Sequence, residues 1–360
     1  MSSDRLLATL IELVSLPSTS GHEEQVRDYL KAKLSMLGME TRADAAGNLA
    51  ATLPGIGEPI LLNAHMDRVP PGLGHRPILR DGVLYSDGTT NLGADDAAGI
   101  AIILETLTRS QEQRLPHPPI VAVFTVQEEA GMCGANGFAA AAYHVTQGIV
   151  FDNAFEAGVV VSQGAAYEAF DVVIKGSTGH PGKDLSRMVN AIEIFRAADY
   201  PHGSLNNDQT RILIGRIHGG SARNAVPDTV TIEGELRSYE PPEARQRYMH
   251  ALADAFSRAA QRFGGQAEVT FHPHSSGYTV SEDEPLLGVY RSVLAARGAP
   301  LLLRPTFIGS DASGFRPAVK AFTISTGVNN EHSVDECVTV EPLEQLVQDT
   351  LRLLEMMAIK

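Results

Sequence analysis

Cysteine is scarce in this 360-residue sequence, and that scarcity excludes two common stabilising devices. Only Cys133 and Cys337 are present, and they form no CxxC pair. A disulfide framework needs several paired cysteines, and a cysteine-rich zinc site needs closely spaced ones. We therefore expect neither device, and we expect Cys133 to be buried as a small apolar side chain.

Positive charge is also in short supply. Lys and Arg together number 29 against 43 Asp and Glu, which gives a formal net charge of −14. A surface this acidic repels phosphate backbones, so nucleic acid is not expected as a partner. No apolar run approaches membrane-spanning length, and the first residues are typical of an amphipathic helix rather than a signal peptide. We expect a cytoplasmic protein with no membrane partner.

Hydrophobic residues make up 43% of the sequence and charged residues 20%, which is typical of a globular protein with a buried core. The length suits one large domain or two of ordinary size. Four apolar runs lack the polar alternation of half-exposed strands, at 60–62, 120–126, 149–151 and 322–325. Strands covered on both faces have this pattern. We predict an α/β fold with a mostly parallel sheet flanked by helices, including 97–107 and 342–357.

A second region has a different pattern, because two of its segments alternate apolar and polar residues as half-buried strands do. Its expected elements are a strand at 167–175, a helix at 189–198, strands at 211–218 and 229–237, a helix at 242–263 and a strand at 267–272. This order is the split-βαβ pattern. We predict an inserted α+β domain at 164–277 and a discontinuous α/β domain built from 1–163 and 278–360.

A further helix is predicted at 23–37, near the start of the chain. Apolar residues recur on one face of this segment, and Gly38 follows it as a stop signal. Ser20 and Glu23 have the spacing of a capping box, in which each side chain accepts a backbone N–H of the first helical turn. We expect these two residues to cap the helix.

Histidine and acidic residues stand where the predicted parallel strands end. In open α/β sheets, ligands gather outside the carboxyl ends of the strands, so these side chains are expected to converge. A further acidic pair lies just before the helix at 97–107. The residues concerned are His65, Asp67, Asp95, Asp96, Glu128, Glu129, Asp152 and His332.

These residue types indicate a metal site. Imidazoles and carboxylates without thiolates suit divalent ions such as Zn²⁺, Co²⁺ or Mn²⁺. A pair of such ions shares a bridging carboxylate and activates a water molecule. In the adjacent pair Glu128 and Glu129, one carboxylate can bind metal while the other stays free as a general base. Asp67, two positions after His65, is placed to orient that imidazole.

Each candidate also has a simpler interpretation. Asp67 could cap a turn, Asp95 could be only the N-cap of the following helix, and aspartates such as Asp152 often end strands. Glu128 and Glu129 could be a solvated pair in a loop. The metal interpretation is favoured because the candidates occur together at strand ends. Asp96 is expected to cap the helix or to accept a local hydrogen bond.

The sequence resembles the M20 metallopeptidase family, and within it the peptidase T-like, tripeptide aminopeptidase-like members. The matching segments include AHMDRVPPG, YSDGTTNLGADDAAGIA, TVQEEAGMCGA, VFDNA and NEHSVDE. In the inserted region, KGSTGHPG and GGSARNAVPDTVTIEGELRS resemble the lid domain of the family. The resemblance covers nearly the whole chain and implies a zinc exopeptidase-like fold.

Carried over residue by residue, the resemblance implies a site for two divalent metal ions. Asp95 would bridge them, with His65 and Asp152 completing one ion and Glu129 and His332 the other. Glu128 would be the general base that activates a metal-bridging water, and Asp67 would hold His65. Zinc is the expected metal, with cobalt or manganese as alternatives.

In the lid domain the resemblance implies residues that contact the substrate or the oxyanion, and the candidates are His180, Arg223 and Asn224. All three can equally serve turns, since His180 precedes Pro181 and Gly182 and the other two precede a strand. Many relatives form dimers through this domain, so a homodimer is expected. One departure from the family pattern is Ala97, where relatives often have lysine.

The expected function is an aminopeptidase that acts on tripeptides or other short peptides. The alternative is an N-acyl amino acid deacylase, or a dipeptidase or carboxypeptidase-type amidohydrolase of the same family. The metal ligands do not separate these, because the bond and the attack on it are alike. A non-catalytic binding protein of the same fold is disfavoured, because Glu128 and every expected metal ligand are present.

Overall fold

The computed structural model describes residues 2–183, 187–316 and 318–358. The chain divides into two compact units, one made of Met1–Gly164 and Tyr278–Lys360 and the other of Ala165–Gly277. The sequence placed the two boundaries after residues 163 and 277, and the structure places them after Gly164 and Gly277. We call the two parts the larger and the smaller unit.

The helices follow the predicted order. They are α1 (Ser2–Ser15), α2 (Glu24–Met36), α3 (Ala94–Glu112), α4 (Cys133–Gly137), α5 (Ala191–Ala197), α6 (Pro242–Phe263), α7 (Pro285–Ala296), α8 (Asp311–Phe315) and α9 (Val340–Ala358).

The strands include every one predicted above, together with short ones that were not. They are β1 (Glu40–Ala43), β2 (Leu49–Leu53), β3 (Ile60–His65), β4 (Ile78–Arg80), β5 (Val83–Tyr85), β6 (Ile120–Thr125), β7 (Gln147–Asp152), β8 (Val160–Gly164), β9 (Ala166–Lys175), β10 (Gly203–Leu205), β11 (Thr210–Gly219), β12 (Thr229–Ser238), β13 (Gln266–Ser275), β14 (Tyr278–Thr279), β15 (Leu303–Thr306), β16 (Lys320–Ser325), β17 (Val328–Asn329) and β18 (Cys337–Thr339).

The larger unit is built on a sheet with the strand order β1-β2-β6-β3-β7-β16-β8-β14, and β15 pairs with β8. Its centre is parallel, since β3 runs parallel to both β6 and β7, and β16 runs parallel to β7. The antiparallel strands lie toward the edges. The predicted α/β fold with a mostly parallel sheet is confirmed.

The central strands are apolar because both of their faces are covered. Every residue of β3 and of β6 is buried. Helix α3 packs against β3 and β7, and it also contacts α1 and α9. Because both faces of these strands are buried, no position along them favours a polar side chain. This explains the continuous apolar runs in the sequence.

A small antiparallel sheet with the order β17-β18-β5-β4 also belongs to the larger unit. Strands β17 and β18 form a hairpin in which Val328 pairs with Val338 and Asn329 with Cys337. The loop of this hairpin contains His332. The sheet therefore determines where that histidine lies.

The smaller unit contains an antiparallel sheet with the order β10-β11-β12-β9-β13. Helices α5 and α6 pack against strands of this sheet. Its core includes Phe170, Ile232 and Phe256, all of which are buried. The predicted succession of strands and helices is confirmed, with β10 as an addition.

Two local expectations are wrong. Glu23 occupies the N-cap position of α2 without making a side-chain cap, and Ser20 Oγ instead donates to Asp67 Oδ2 at 2.6 Å. A contact 47 residues distant in sequence replaces the local capping box. Cys133 is exposed, because it begins the short helix α4 in the loop after β6 rather than lying in the core.

No helix in the described ranges is both long enough and apolar enough to cross a membrane. The cytoplasmic location expected from the sequence stays a prediction.

Candidate metal centre

The parallel centre of the main sheet carries the candidate ligands to one edge. His65 is the last residue of β3, and Asp152 is the last residue of the adjacent strand β7. Glu128 and Glu129 follow β6, the neighbour of β3 on its other side. His332 follows β16 and lies in the β17–β18 hairpin. The carboxyl ends of three neighbouring parallel strands therefore supply His65, Asp152 and the glutamate pair, and the hairpin after β16 supplies His332.

Asp95 reaches the same edge from the start of α3. Gly93 at the N-cap has a φ of 72°, a conformation that favours glycine, and the Asp95–Asp96 peptide bond is cis. Asp96 Oδ1 accepts from the backbone N–H of Gly99 at 3.0 Å, and Oδ2 accepts from that of His65 at 3.3 Å. The expectation that Asp96 caps the helix or accepts a local hydrogen bond is confirmed, and the same side chain ties α3 to β3.

One side of the cluster is made by His65, Asp95 and Asp152. His65 Nε2 lies 3.5 Å from Asp95 Oδ1 and 3.8 Å from Asp152 Oδ1. The Nδ1 nitrogen donates to the carbonyl oxygen of Asp67 at 2.9 Å. Because a carbonyl can only accept, Nδ1 carries a proton, and in the neutral ring the lone pair of Nε2 faces the two carboxylates.

The other side is made by His332, Glu129 and the second oxygen of Asp95. His332 Nε2 lies 2.8 Å from Glu129 Oε1 and 3.6 Å from Asp95 Oδ2. Ligand atoms of His65, Asp95 and Glu129 all lie within 4.8 Å of one another. Asp95 is thus placed between the two histidines, with one carboxylate oxygen toward each.

Three of the four imidazole–carboxylate distances suit metal ligands better than hydrogen bonds, whereas the 2.8 Å between His332 Nε2 and Glu129 Oε1 is a hydrogen-bond distance. Separations of 3.5–3.8 Å exceed the normal N–H···O range of about 2.7–3.2 Å. Two ligands each about 2.0–2.2 Å from one tetrahedral zinc ion lie about 3.3–3.6 Å apart. Asp95 Oδ1 and Asp152 Oδ2 are buried and have no hydrogen-bond partner among the described residues. Buried carboxylate oxygens are normally paired, so the residues present fit divalent cations.

The electrostatics lead to the same conclusion. Burial raises the pKa of Asp152 well above its ordinary value, and the charge of Asp95 raises it further. The neighbouring carboxylates of Asp95 and Glu129 raise the pKa of His332 to about 10. Burial acts to raise the pKa of Asp95 too, but the neighbouring imidazoles of His332 and His65 lower it to about 2. The cluster contains more carboxylates than imidazoles, so its negative charges repel one another. Divalent cations bound between them would reduce this repulsion.

Asp67 does more than the sequence suggested. Its Oδ1 lies 3.4 Å from His65 Nδ1, in addition to the contact through its carbonyl. The same carboxylate accepts from the backbone N–H of Glu128 at 2.9 Å and of Glu129 at 3.2 Å. With the hydrogen bond from Ser20, Asp67 connects His65 to the turn that carries both glutamates.

Glu128 is partly buried beside this cluster. Burial raises the pKa of its carboxyl well above the ordinary value, and the nearby charge of Asp152 raises it further. The backbone N–H of Glu128 donates to Asp67, which fixes the turn but leaves the glutamate side chain free of that contact.

Two buried acidic residues near the cluster were not singled out from the sequence. Glu336 accepts backbone hydrogen bonds from the segment that leads into Asp95. Asp311 accepts a hydrogen bond from the Thr125 hydroxyl, and burial raises its pKa to about 6. One signal for Glu336 is present in the sequence, because it is an acidic residue four positions after His332 in NEHSVDE. Neither residue lies in a pattern that distinguishes buried from exposed acids.

The three lid candidates lie in exposed turns of the smaller unit. His180 Nδ1 accepts from the backbone N–H of Gly182 at 3.0 Å, as the turn interpretation expects. Arg223 and Asn224 form part of the turn that precedes β12. Their role as substrate contacts stays a prediction. Ala97 is buried at the start of the regular part of α3.

A parallel α/β sheet that gathers histidines and carboxylates at its carboxyl edge defines a class of metal-binding hydrolases. The model of Peptidase family M20/M25/M40 matches residues 61–356, so this chain belongs to that family and is a peptide hydrolase.

Individual relatives agree with this assignment. The chain is similar to an aminopeptidase PepT from Bacillus cereus ATCC 10987, with 29% identity, a TM-score of 0.91 and 99% of each chain covered. A tripeptidase structure from Staphylococcus aureus subsp. aureus Mu50 has 31% identity, a TM-score of 0.94 and the same coverage. The uncharacterized protein YqjE of Bacillus subtilis (strain 168) is 30% identical, with 99% of both sequences covered.

Proposed function

We propose that this chain is a dinuclear-metal aminopeptidase that removes the N-terminal residue of tripeptides or other short peptides. The observation that carries the proposal is the position of Asp95. Its two oxygens face His65 at 3.5 Å and His332 at 3.6 Å, with Asp152 and Glu129 on the respective sides. The similarity to an aminopeptidase and to a tripeptidase supports the choice of substrate.

His65, Asp95 and Asp152 would hold one ion, and Asp95, Glu129 and His332 the other. Zinc suits these ligands, and cobalt or manganese would also be accepted. When bound, two divalent cations polarise the scissile carbonyl and lower the pKa of a water molecule.

Glu128 would act as the general base in this reaction. It takes a proton from the water that attacks the carbonyl, and it passes that proton to the nitrogen of the breaking C–N bond. A pKa raised by burial suits a carboxyl group that has to accept a proton and then release it. Asp67 holds the backbone of Glu128 and the ring of His65, so it fixes the base relative to a ligand.

Residues of the smaller unit would select the substrate. His180, Arg223 and Asn224 are exposed and carry groups able to bind a peptide carboxylate or a carbonyl oxygen. The homodimer expected through the same unit belongs to this proposal as well.

A substrate screen on the metal-reconstituted protein tests the proposal. The chain is stripped with a chelator and reloaded with Zn²⁺, Co²⁺ or Mn²⁺. It is then given a free tripeptide, the same tripeptide with an acetylated N-terminus, a dipeptide and an N-acyl amino acid. Mass spectrometry of the products should show one free amino acid and one dipeptide from the free tripeptide.

The acetylated tripeptide is the matched control, and it should remain intact. If only the substrates with blocked N-termini were hydrolysed, the proposed function would change from aminopeptidase to deacylase. Full activity in the metal-stripped protein would remove the dinuclear mechanism.

A further inference from the structure

Glu336 is a buried carboxylate with an unusual set of partners. It lies just before β18 and is 1% exposed. Its carboxylate accepts four successive backbone N–H groups, and among the described residues it pairs with no basic side chain. The distances are 2.9 Å from Leu92, 2.9 Å from Gly93, 2.7 Å from Ala94 and 3.1 Å from Asp95.

These four N–H groups need an acceptor from elsewhere in the chain. The first N–H groups of a helix have no carbonyl partner within it, and Asp95 and Asp96 depart from helical geometry. A carboxylate at this end also interacts favourably with the helix dipole. Glu336 supplies both the acceptor atoms and the charge, from a position 241–244 residues later in the sequence.

The location of Glu336 connects two of the candidate ligands. It belongs to the connection between β17 and β18, which also carries His332 four residues earlier. The amides it accepts end with that of Asp95 itself. A single carboxylate therefore holds the loop of one candidate ligand against the loop of another.

Arg68 supports the same segment from a different direction. Its guanidinium donates to the carbonyl oxygens of Leu13 and Val14, and it is buried. A Cβ atom on Gly93 would come within 2.9 Å of the Arg68 side chain. The segment 92–95 thus lies between the side chain of Arg68 and the carboxylate of Glu336. Among the described residues, the carboxylate accepts the backbone N–H groups of this segment and Arg68 only packs against it.

We propose that Glu336 is a positioning residue that sets the distance between Asp95 and His332 and so determines the affinity of the ion between them. This inference rests on the proposed function, since it assigns a role within the same metal site. The carboxylate touches neither substrate nor metal, and it acts through the backbone of residues 92–95.

The test is the substitution Glu336→Gln, followed by titration of the metal-stripped protein with Co²⁺ and recording of its visible absorption. The amide group keeps one acceptor oxygen but turns an NH₂ group toward two of the four backbone donors. Loss of a supporting hydrogen-bond partner around a metal site costs about 10–100-fold in metal affinity. We expect the Co²⁺ affinity of the site between Asp95 and His332 to fall by this factor.

Steady-state kinetics on a free tripeptide add a second measurement. In Glu336→Gln, kcat at limiting Co²⁺ should fall and should recover as the Co²⁺ concentration is raised, while KM for the peptide stays near the wild-type value. Circular dichroism at each Co²⁺ concentration has to show a folded protein, because metal that binds only the folded state would also rescue a variant that is merely less stable.

Glu105→Gln is the matched control, because Glu105 is a glutamate of the larger unit that is 3% exposed and is held by arginines. It should lower the melting temperature and leave the Co²⁺ titration unchanged. If Glu336→Gln does not fold, as judged by circular dichroism, Glu336→Asp gives the same test, because the shorter side chain keeps the charge but loses reach.

Equal Co²⁺ affinity in the wild type and in a folded Glu336 variant would overturn the inference while leaving the proposed function intact. A wild-type protein that binds no Co²⁺ would overturn the proposed function itself.

Discussion

The two sides of the candidate metal centre differ in how they are built. His65 and Asp152 end neighbouring core strands, and their side chains are 2% and 7% exposed. His332 lies in a hairpin loop with a φ of 62°, and its side chain is 45% exposed. The main sheet positions the first side, whereas the β17–β18 hairpin and the hydrogen bonds of Glu336 position the second. One candidate position for a cation is thus built on core strands, and the other lies partly on an exposed hairpin loop.

Asp95 belongs to both sides, and its removal should have the largest effect. In Asp95→Ala, each histidine loses the carboxylate oxygen that faces it, so neither ion should be retained and nearly all turnover should disappear. Elemental analysis of the purified variant measures the bound metal. Asp254→Ala, on an exposed face of α6, is the control and should behave as wild type. Retention of both ions in Asp95→Ala would show that the two sides are independent.

Glu128→Gln should separate proton transfer from metal binding on both sides. The amide has nearly the same shape but cannot take a proton, so turnover of a free tripeptide should fall by about 10²–10⁴-fold. The metal content should stay at the wild-type level, because Glu129 and Asp67 are unchanged. Glu58→Gln, at an exposed position, is the control. Unchanged turnover would mean that another group serves as the base.

The smallest effect should be a difference in affinity between the two ions. Stepwise addition of chelator to the Zn²⁺-loaded protein should first remove the ion beside the exposed His332 and leave a one-metal species. Mass spectrometry under non-denaturing conditions counts the ions at each step. His332→Ala should start at the one-metal state and lose its remaining ion at the same chelator concentration as the wild type. Simultaneous loss of both ions would contradict the predicted difference in affinity between the two sides.

The sequence indicated the residues that end core strands more directly than it indicated the hairpin that carries His332. Apolar runs buried on two faces identify core strands, and the residues that end those strands, such as His65 and Asp152, then converge through the geometry of parallel sheets. The strands and helices of the smaller unit followed from their periodicity in the same way.

Contacts between distant loops could not be predicted in this way. Ser20 and Glu23 satisfy a local capping pattern, yet the Ser20 hydroxyl binds Asp67 because the folded sheet brings that carboxylate within 2.6 Å. Glu336 has no periodic neighbours, and its four amide partners lie more than 240 residues earlier. The hydrogen-bond partner of such a side chain depends on which polar groups the tertiary structure brings near it without a partner of their own.

The hydrogen bond from Ser20 to Asp67 extends the surroundings of the candidate metal centre to the segment before α2. Arg68, the next residue, is anchored on the last carbonyls of α1. Replacing the first 20 or so residues with another protein would therefore change the surroundings of Asp67, and of the Glu128 backbone that it holds, without altering any strand of the main sheet.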